Sequence, residues 1–490
     1  MSAPSHFEDV VVIGAGYAGA TAAAYLTKAG RRVTLLEGHA TPGGCAGFFK
    51  RNGFSFDVGA TTLNGLGEGL PLARLSEDFQ FESKFEKVDP AVHIHMDGQV
   101  VKRFTDIDSW SSELAPLVED RSELLSFLHT VERKSEEFWQ IATGYPLSPY
   151  GISDYFKYVG MGPSRLFSLL GGFLSSIESR IPERLKRSPQ FMRLVNELLL
   201  ISAQGYADKC PAVVGFLGLG YMSDMYYPWG GISSMADELC HKIKSYGGSV
   251  SFNDPARSVK SVPGGYEVQS RKGSLQTRAI VFAVPIWNVA ELLGEMPVAT
   301  KVDDKASKQG ECWSAITATM GLRFIRPVEG LYHQVHIQNA PPEVHSGSLF
   351  VSVSHPDDRE RAPEGFRSVT VSTHAQWVDF SHERTTEEYQ QQKQRLGQYI
   401  LDQLKGHFPI DEESVVEFRI GTPRTFNRFT RRYNGWVGGI PWKAGSLPLG
   451  RPGYRLPGKE LYLIGDTALP GQGVSGVVLG AQSLADRLLG

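Results

Sequence analysis

Residues 9–26, "DVVVIGAGYAGATAAAYL", decide how the rest of this 490-residue chain is read. Asp9–Ile13 reads as a short apolar strand of the kind buried on both faces of a parallel sheet. Gly14-x-Gly16-x-x-Gly19 follows, then an alanine-rich run that predicts a helix to about Ala29, then "RRVTLLEGH", a second strand ending at Glu37. This is one β-α-β unit, and each glycine has a reason. Gly14 makes the tight turn, Gly16 lets the backbone approach a pyrophosphate, and Gly19 lets helix and strand pack closely. The helix N-terminus offers free N–H groups and a partial positive charge to phosphates. Glu37, 18 positions beyond Gly19, suits the two hydroxyls of an adenosine ribose and would repel a 2′-phosphate.

Residues 461–490, "LYLIGDTALPGQGVSGVVLGAQSLADRLLG", repeat the grammar at the other end of the chain. A terminal strand, Leu461–Ile464, is expected to join the same sheet beside the first strand, with Gly465-Asp466 at its carboxyl end. "PGQGVSG" then opens a helix whose apolar positions Val474, Val477, Val478, Ala481, Leu484 and Leu488 follow the 3.6 period. Asp466 suits ribityl hydroxyls, and the helix amides suit the far end of an extended cofactor, where a reduced flavin develops negative charge. NAD needs only the first unit. A cofactor long enough to engage both ends of the chain is FAD.

The stretch between them sorts by composition. "GFFKRNGFSFDVGAT" predicts a hairpin turning at Asn52-Gly53, residues that tolerate the positive φ of a type I′ turn. Residues 108–205 carry helical spacing (Leu124, Leu125, Leu128, Val131) and no β-α-β rhythm. A helix opened by Ser233 or Ser234 carries Met235, Leu239 and Ile243 inward and ends at Gly247-Gly248. A hairpin around Pro263-Gly264-Gly265, the strand "AIVFAVP" and alternating strands over 312–415 follow, with one long polar helix near 385–406. The expected architecture is α/β: a discontinuous Rossmann-like FAD-binding domain built on a parallel sheet (1–107, 228–300, 416–490). A helical insertion (108–227) and a mixed-sheet substrate domain (301–415) interrupt it.

A net charge of −3 argues against nucleic acid as a partner. Cys45, Cys210, Cys240 and Cys312 show no C-x-x-C pair or Cys/His metal spacing and read as free thiols of a reducing compartment. The polar first nine residues are not expected to form a cleavable signal, and no apolar run reaches the ~18–20 residues of a bilayer span. The expectation is a cytoplasmic chain without a metal or a transmembrane helix.

Six blocks carry a family likeness: "VVIGAGYAGATAAAYL", "PGGCAGFFKRNGFSFDVGAT", "YPWGGISSMADEL", "SLFVSVSHPDDRERAPEG", "GTPRTFNRFTRRYNGWVGG" and "LYLIGDTALPGQGVSGV". Together they resemble the carotenoid desaturase and isomerase family of flavoproteins, nearest to its C-3′,4′ desaturase and carotene isomerase branch. The resemblance implies FAD contacts at Gly14, Gly16, Gly19, Glu37, Gly43, Gly44, Gly465, Asp466, Gln472, Gly473 and Val474. Ala256 aligns with the position whose backbone holds the adenine, where a valine is commoner. It also implies a long polyene substrate taken from a membrane, peripheral membrane contact, and quinone or oxygen as electron acceptor.

Polyene desaturation leaves little signature, because the flavin takes hydride and the protein supplies orientation and a dry tunnel. Asp57 is a candidate base, though such an aspartate more often ties down the loop after a hairpin. Arg424 is a candidate for holding flavin or a carboxylate, set against a buried ion pair between segments. His355 and His374 are expected on strands as core histidines. Tyr221, Tyr226, Tyr227 and Trp229 either line a tunnel or pack a domain interface. Residues 151–176 form either a membrane-dipping face, with Lys157 and Arg165 near headgroups, or an ordinary core helix. Four activities follow: 3,4- or 3′,4′-type desaturation, redox-neutral cis–trans isomerisation, polyene ketolation or saturation, and flavin-free lipid binding on the same fold. The intact glycines, Glu37 and Gly465-Asp466 speak against the last.

Overall fold

Val10–Ile13 are buried on both faces, and Glu8–Ile13 pairs in parallel with Val33–Leu36 on one side and Ser274–Phe282 on the other. The computed structural model describes residues 7–146, 148, 149, 152–381 and 385–490. Ser249–Ser251 extends this sheet in parallel beyond Val33–Leu36, and the hairpin Ala256–Val262/Gly265–Ser270 adds antiparallel strands next to Ser274–Phe282. Leu461–Leu463 completes the seven strands, but not in the place expected. Both edges of the first strand are taken, so the closing strand pairs with the carboxyl half of Ser274–Phe282.

The alanines of helix Tyr17–Lys28 explain what covers one face of this sheet. Ala20, Ala22, Ala23 and Ala24 are fully buried, and their short side chains let helices Ser234–Ser245 and Val474–Leu489 approach closely. Helices Ile286–Leu293 and Ala299–Ser307 cover the other face.

A second seven-stranded sheet runs in the order Val415–Gly421, Ser314–Leu322, Arg367–Ala375, Ser348–Val353, Tyr332–His336, Val92–Met96 and Gln99–Arg103. Its membership departs from the expected boundaries. Val92–Met96, Gln99–Arg103 and all of Val415–Gly421 beyond its first residue, assigned by sequence to the dinucleotide unit (1–107 and 416–490), pair here instead. Alternation identifies a strand, while the sheet it joins is fixed by partners far away in sequence. Helix Thr386–His407, opened by a Thr385–Glu388 capping box, packs on one face of this sheet. The helical layer includes Arg121–Gly144, which buries Leu124, Leu128 and Val131, with Pro163–Leu174, Pro189–Ala203 and Ala212–Gly220. Gly151, the first residue of the expected membrane-dipping stretch, lies outside the described residues.

The hairpin Phe48–Arg51/Phe54–Asp57 joins the two sheets. Its turn residues Asn52 and Gly53 have φ of 48° and 82°, as a type I′ turn demands. Phe54 lies against the backbone of Gly321, where a Cβ would come within 2.5 Å of its ring. Among the described residues no helix is long and apolar enough to cross a membrane, and no cluster of His, Cys, Asp or Glu is arranged to hold a metal.

Candidate functional site

The three glycines of the first turn do different work. A Cβ on Gly14 would meet the Ala283 carbonyl at 2.8 Å, and one on Gly19 would meet the Gly14 carbonyl at 1.8 Å. Protein therefore blocks both. Gly16 is open, with nothing nearer than the Gly43 carbonyl at 4.0 Å. It stands as N-cap of Tyr17–Lys28 with no side chain capping the helix, so the first-turn N–H groups remain available. The Gly43–Gly44 turn, with φ of 108° and 60°, sits directly against it, since Gly43 N–H donates to the Ala15 carbonyl at 2.9 Å.

Glu37 closes one end. Its carboxylate accepts from Ala15 N–H and His39 N–H, each at 2.8 Å. Burial pushes this carboxyl up, and the two amide bonds oppose the shift. Asp254 N–H donates to the Glu37 carbonyl at 2.7 Å, which brings Ala256, the first residue of Ala256–Val262, beside it.

At the other end Gly465 and Gly473 have φ of 109° and 81°, and a Cβ on either would meet nothing within 4 Å. Gly473 is the N-cap of Val474–Leu489, again without a side-chain cap. Gln472 donates from Nε2 to the Ser202 carbonyl at 3.0 Å, while its buried Oε1 has no partner among the described residues. Asp466 accepts from Arg432 Nη2 at 2.6 Å. Burial alone would lower the Arg432 guanidinium, but the facing Asp466 carboxylate more than reverses this and keeps it charged. Cys45 lies near this pair, and burial pushes its thiol up, so it stays protonated.

Between these ends and the second sheet runs a buried polar network. Arg361 Nη1 lies 2.7 Å from Asp57 Oδ2, and Arg361 Nε donates to the Ser55 carbonyl at 3.0 Å. Tyr227 hydroxyl and Gly230 N–H both donate to Asp358 Oδ2, at 2.7 and 2.9 Å. Tyr17, inside the glycine turn, donates to the Ile232 carbonyl, and Ile232 N–H donates to Asp57. Asp57 is thus committed to tying segments together. Trp229 donates to Glu86 at 3.1 Å and Tyr221 bonds Thr62 at 3.1 Å, so these aromatics, with Tyr227, spend their polar tips on the interface. His355 lies just after its strand rather than on it, 4.7 Å from the Trp229 ring. His374, on Arg367–Ala375, packs edge-on against Trp313 at 5.6 Å.

Arg424 makes no ion pair among the described residues. Its guanidinium lies 4.9 Å over the Tyr389 ring. An ion pair to Asp466 is made instead by Arg432, eight residues on in the same block, which the sequence reading had not singled out. Arg361 and Asp358 were likewise visible only as members of a charged block.

A family model described as flavin containing amine oxidoreductase matches residues 17–489. The chain belongs to this flavin-containing amine oxidoreductase family. It is 26% identical to prolycopene isomerase 2, chloroplastic, of an Oncidium hybrid cultivar, over 98% of this chain and 83% of that one. It is 21% identical to the 1-hydroxycarotenoid 3,4-desaturase of Flavobacterium sp. (strain P99-3), over 98% and 99%. The fold is shared with an oxidoreductase from Methanosarcina mazei, at a TM-score of 0.67 and 17% identity over 98% and 100% of the two chains. This flavoenzyme is therefore an oxidoreductase, and a flavin in a dinucleotide fold is FAD. The residues present fit that group: Gly16, Gly465 and Gly473 leave room that protein does not fill, and two uncapped helix N-termini and the orphaned Gln472 Oε1 offer polar contacts.

Proposed function

We propose that this flavoenzyme acts on a long polyene of the carotenoid class and removes hydrogen across a carbon–carbon single bond, a 3,4- or 3′,4′-type desaturation. The observation that carries the reading is that both acids expected near the flavin are committed to arginines, Asp57 to Arg361 and Asp466 to Arg432. Such a site is suited to hydride removal from a substrate whose cation is delocalised, rather than to chemistry driven by a strong base. Full-length likeness to a carotenoid isomerase and a carotenoid desaturase supports the substrate class.

When bound, oxidised FAD supplies the two-electron hydride acceptor. In this reading Gly14, Gly16, Gly19, Gly43 and Gly44 shape the pyrophosphate cradle, Glu37 takes the adenosine ribose, and the Ala256 backbone holds adenine. Gly465, Asp466, Gln472, Gly473 and Val474 hold the ribityl chain and the far ring, with helix N–H groups facing developing negative charge. Quinone or oxygen is the proposed final electron acceptor.

Peripheral membrane contact belongs to the same proposal. Phe156, Phe167 and Leu174 expose their side chains on helices Ile152–Val159 and Pro163–Leu174, beside Lys157 and Arg165. Leu447 and Leu449 are exposed in the loop whose Gly445 N–H donates to the Phe173 carbonyl.

A second reading is redox-neutral cis–trans isomerisation, favoured by the 26% identity to a prolycopene isomerase across nearly the whole chain. One experiment separates them: anaerobic incubation of FAD-loaded protein with liposomes carrying a monocyclic or hydroxylated carotenoid, following flavin absorbance and product mass. Flavin bleaching with a product two mass units lighter supports desaturation. Unchanged mass with altered retention, seen only after flavin reduction, replaces it with isomerisation.

A further inference from the structure

Arg431 has a left-handed backbone, φ 58°, at the C-terminal cap of helix Pro423–Thr430. Glycine adopts that conformation freely, and a residue with a Cβ does not. Asn288 fixes the turn from both sides, donating to the Arg431 carbonyl at 3.1 Å and accepting from Tyr433 N–H at 3.0 Å.

The turn lays the Arg431 side chain across Gly38. A Cβ on Gly38 would lie 3.1 Å from both Cδ and Nε of Arg431 and 3.4 Å from Cβ of Pro255. Gly38 directly follows Glu37, and Pro255 directly precedes Ala256. Any side chain at position 38 would push the arginine away. Arg432 is paired with Asp466, whereas Arg431 is exposed and its guanidinium meets no carboxylate within ion-pair distance among the described residues. An arginine thus occupies a position where glycine is easier, with its charge unspent, over the adenosine end of the site.

We propose that Arg431 is the lid of the adenine: with its Cδ–Nε stem resting on Gly38, its planar guanidinium reaches past that contact and stacks on one face of the base. A guanidinium offers both a flat surface and a cation to an aromatic ring, which lysine does not. The proposal rests on the FAD placement of the proposed function, with Glu37 on the ribose and Ala256 beside adenine.

Titration of apo-protein with FAD, read by flavin fluorescence, tests it together with the melting midpoint of the apo-protein. R431G removes the side chain and relieves the backbone. It is expected to melt no lower than the parent chain while binding FAD about five- to thirty-fold more weakly. R431K keeps the charge without the plane and is expected to bind nearly as weakly as R431G. E37Q, at the ribose, is expected to weaken FAD binding independently. If R431G binds FAD as tightly as the parent while E37Q binds weakly, the lid is wrong and the site stands. Unchanged binding in both variants removes the placement and the lid with it. FAD binding in R431K equal to the parent makes the contact one of charge and overturns stacking. A lowered apo melting midpoint in R431G makes Arg431 a structural cap and overturns the lid as well.

Discussion

Asp57 Oδ2 and Arg361 Nη1 lie 2.7 Å apart with both side chains buried, and this pair fastens the hairpin that begins at Phe48 to the loop after strand Ser348–Val353. Burial pushes the Asp57 carboxyl up, and Arg361 works against that shift. The same aspartate reaches Ile232, whose carbonyl is held by Tyr17 of the glycine turn. One ion pair therefore connects the dinucleotide turn with the second sheet.

D57N leaves a buried guanidinium without its anion, and breaking such a pair costs about 3–5 kcal/mol. The expected result is a large fall in the denaturant midpoint, with most of it recovered in the double variant D57L/R361M. Turnover separates the two roles of this residue. A D57N protein of unchanged stability but without activity would make Asp57 the catalytic base rather than a tie between segments.

The glycine turn makes a sharper test because its members differ. Gly16→Ala meets no protein atom nearer than 4.0 Å and keeps an ordinary φ of −67°, so its apo stability should change by no more than about 0.5–1 kcal/mol. Its FAD affinity should fall, since the methyl occupies the cofactor's approach. Gly19→Ala drives a methyl to 1.8 Å from the Gly14 carbonyl and should fail to accumulate as folded protein. Melting of apo-protein beside FAD titration reads both. Equal loss of stability in the two variants would mean that Gly16 serves packing alone.

The parallel core was legible because its signals are local. Strand, glycine turn, alanine helix and Glu37 fall within 30 residues, and the Asn52-Gly53 turn declares its own conformation. What the sequence did not disclose depends on partners far along the chain. Val92–Met96 reads as a strand, yet only its pairing with Tyr332–His336 places it in the second sheet. Leu461–Leu463 was expected beside the first strand, and the place was already filled by Ser274–Phe282. Arg424 and Arg432 sit in one arginine-rich block, and nothing in their spacing tells which meets Asp466 and which lies over Tyr389.

The exposed apolar face yields a prediction about lipid. Phe167 and Leu449 are 72% and 75% exposed; Arg165 shares helix Pro163–Leu174 with Phe167, and Lys157 stands on the preceding helix Ile152–Val159. Amphipathic surfaces of this kind bind bilayers through buried apolar area assisted by anionic headgroups. F167S/L449S should lose co-sedimentation with vesicles containing anionic lipid, while its FAD content and melting midpoint stay at parent values. Co-sedimentation unaffected by both substitutions would place lipid contact elsewhere.

A cluster of buried imidazoles is expected to cost the fold stability in acid. His93 and His95 on Val92–Met96 face His333 on Tyr332–His336, with His95 Nε2 3.2 Å from His333 Nδ1 and His407 5.4 Å from His95, ring to ring. Burial, then the neighbouring imidazoles, pulls His95 down to about 4 and His333 to about 3. Lys102 and Arg367 add positive charge, while Glu329 beside His93 offsets part of it. In the unfolded chain these groups titrate near 6.5. Above that pH they are neutral in both states and their contribution to stability is fully present. As pH falls from about 6.5 toward 3, the unfolded chain takes up protons that the folded cluster refuses, so stability is lost. Glu37 and Glu197, whose carboxyls burial pushes up, act in the opposite sense. The clean measurement is therefore a difference: urea midpoints of the parent and of H95Q/H333Q from pH 7.5 to 5. The parent should lose more stability than the variant across that range, and parallel curves would show that the imidazoles are not held neutral by the fold.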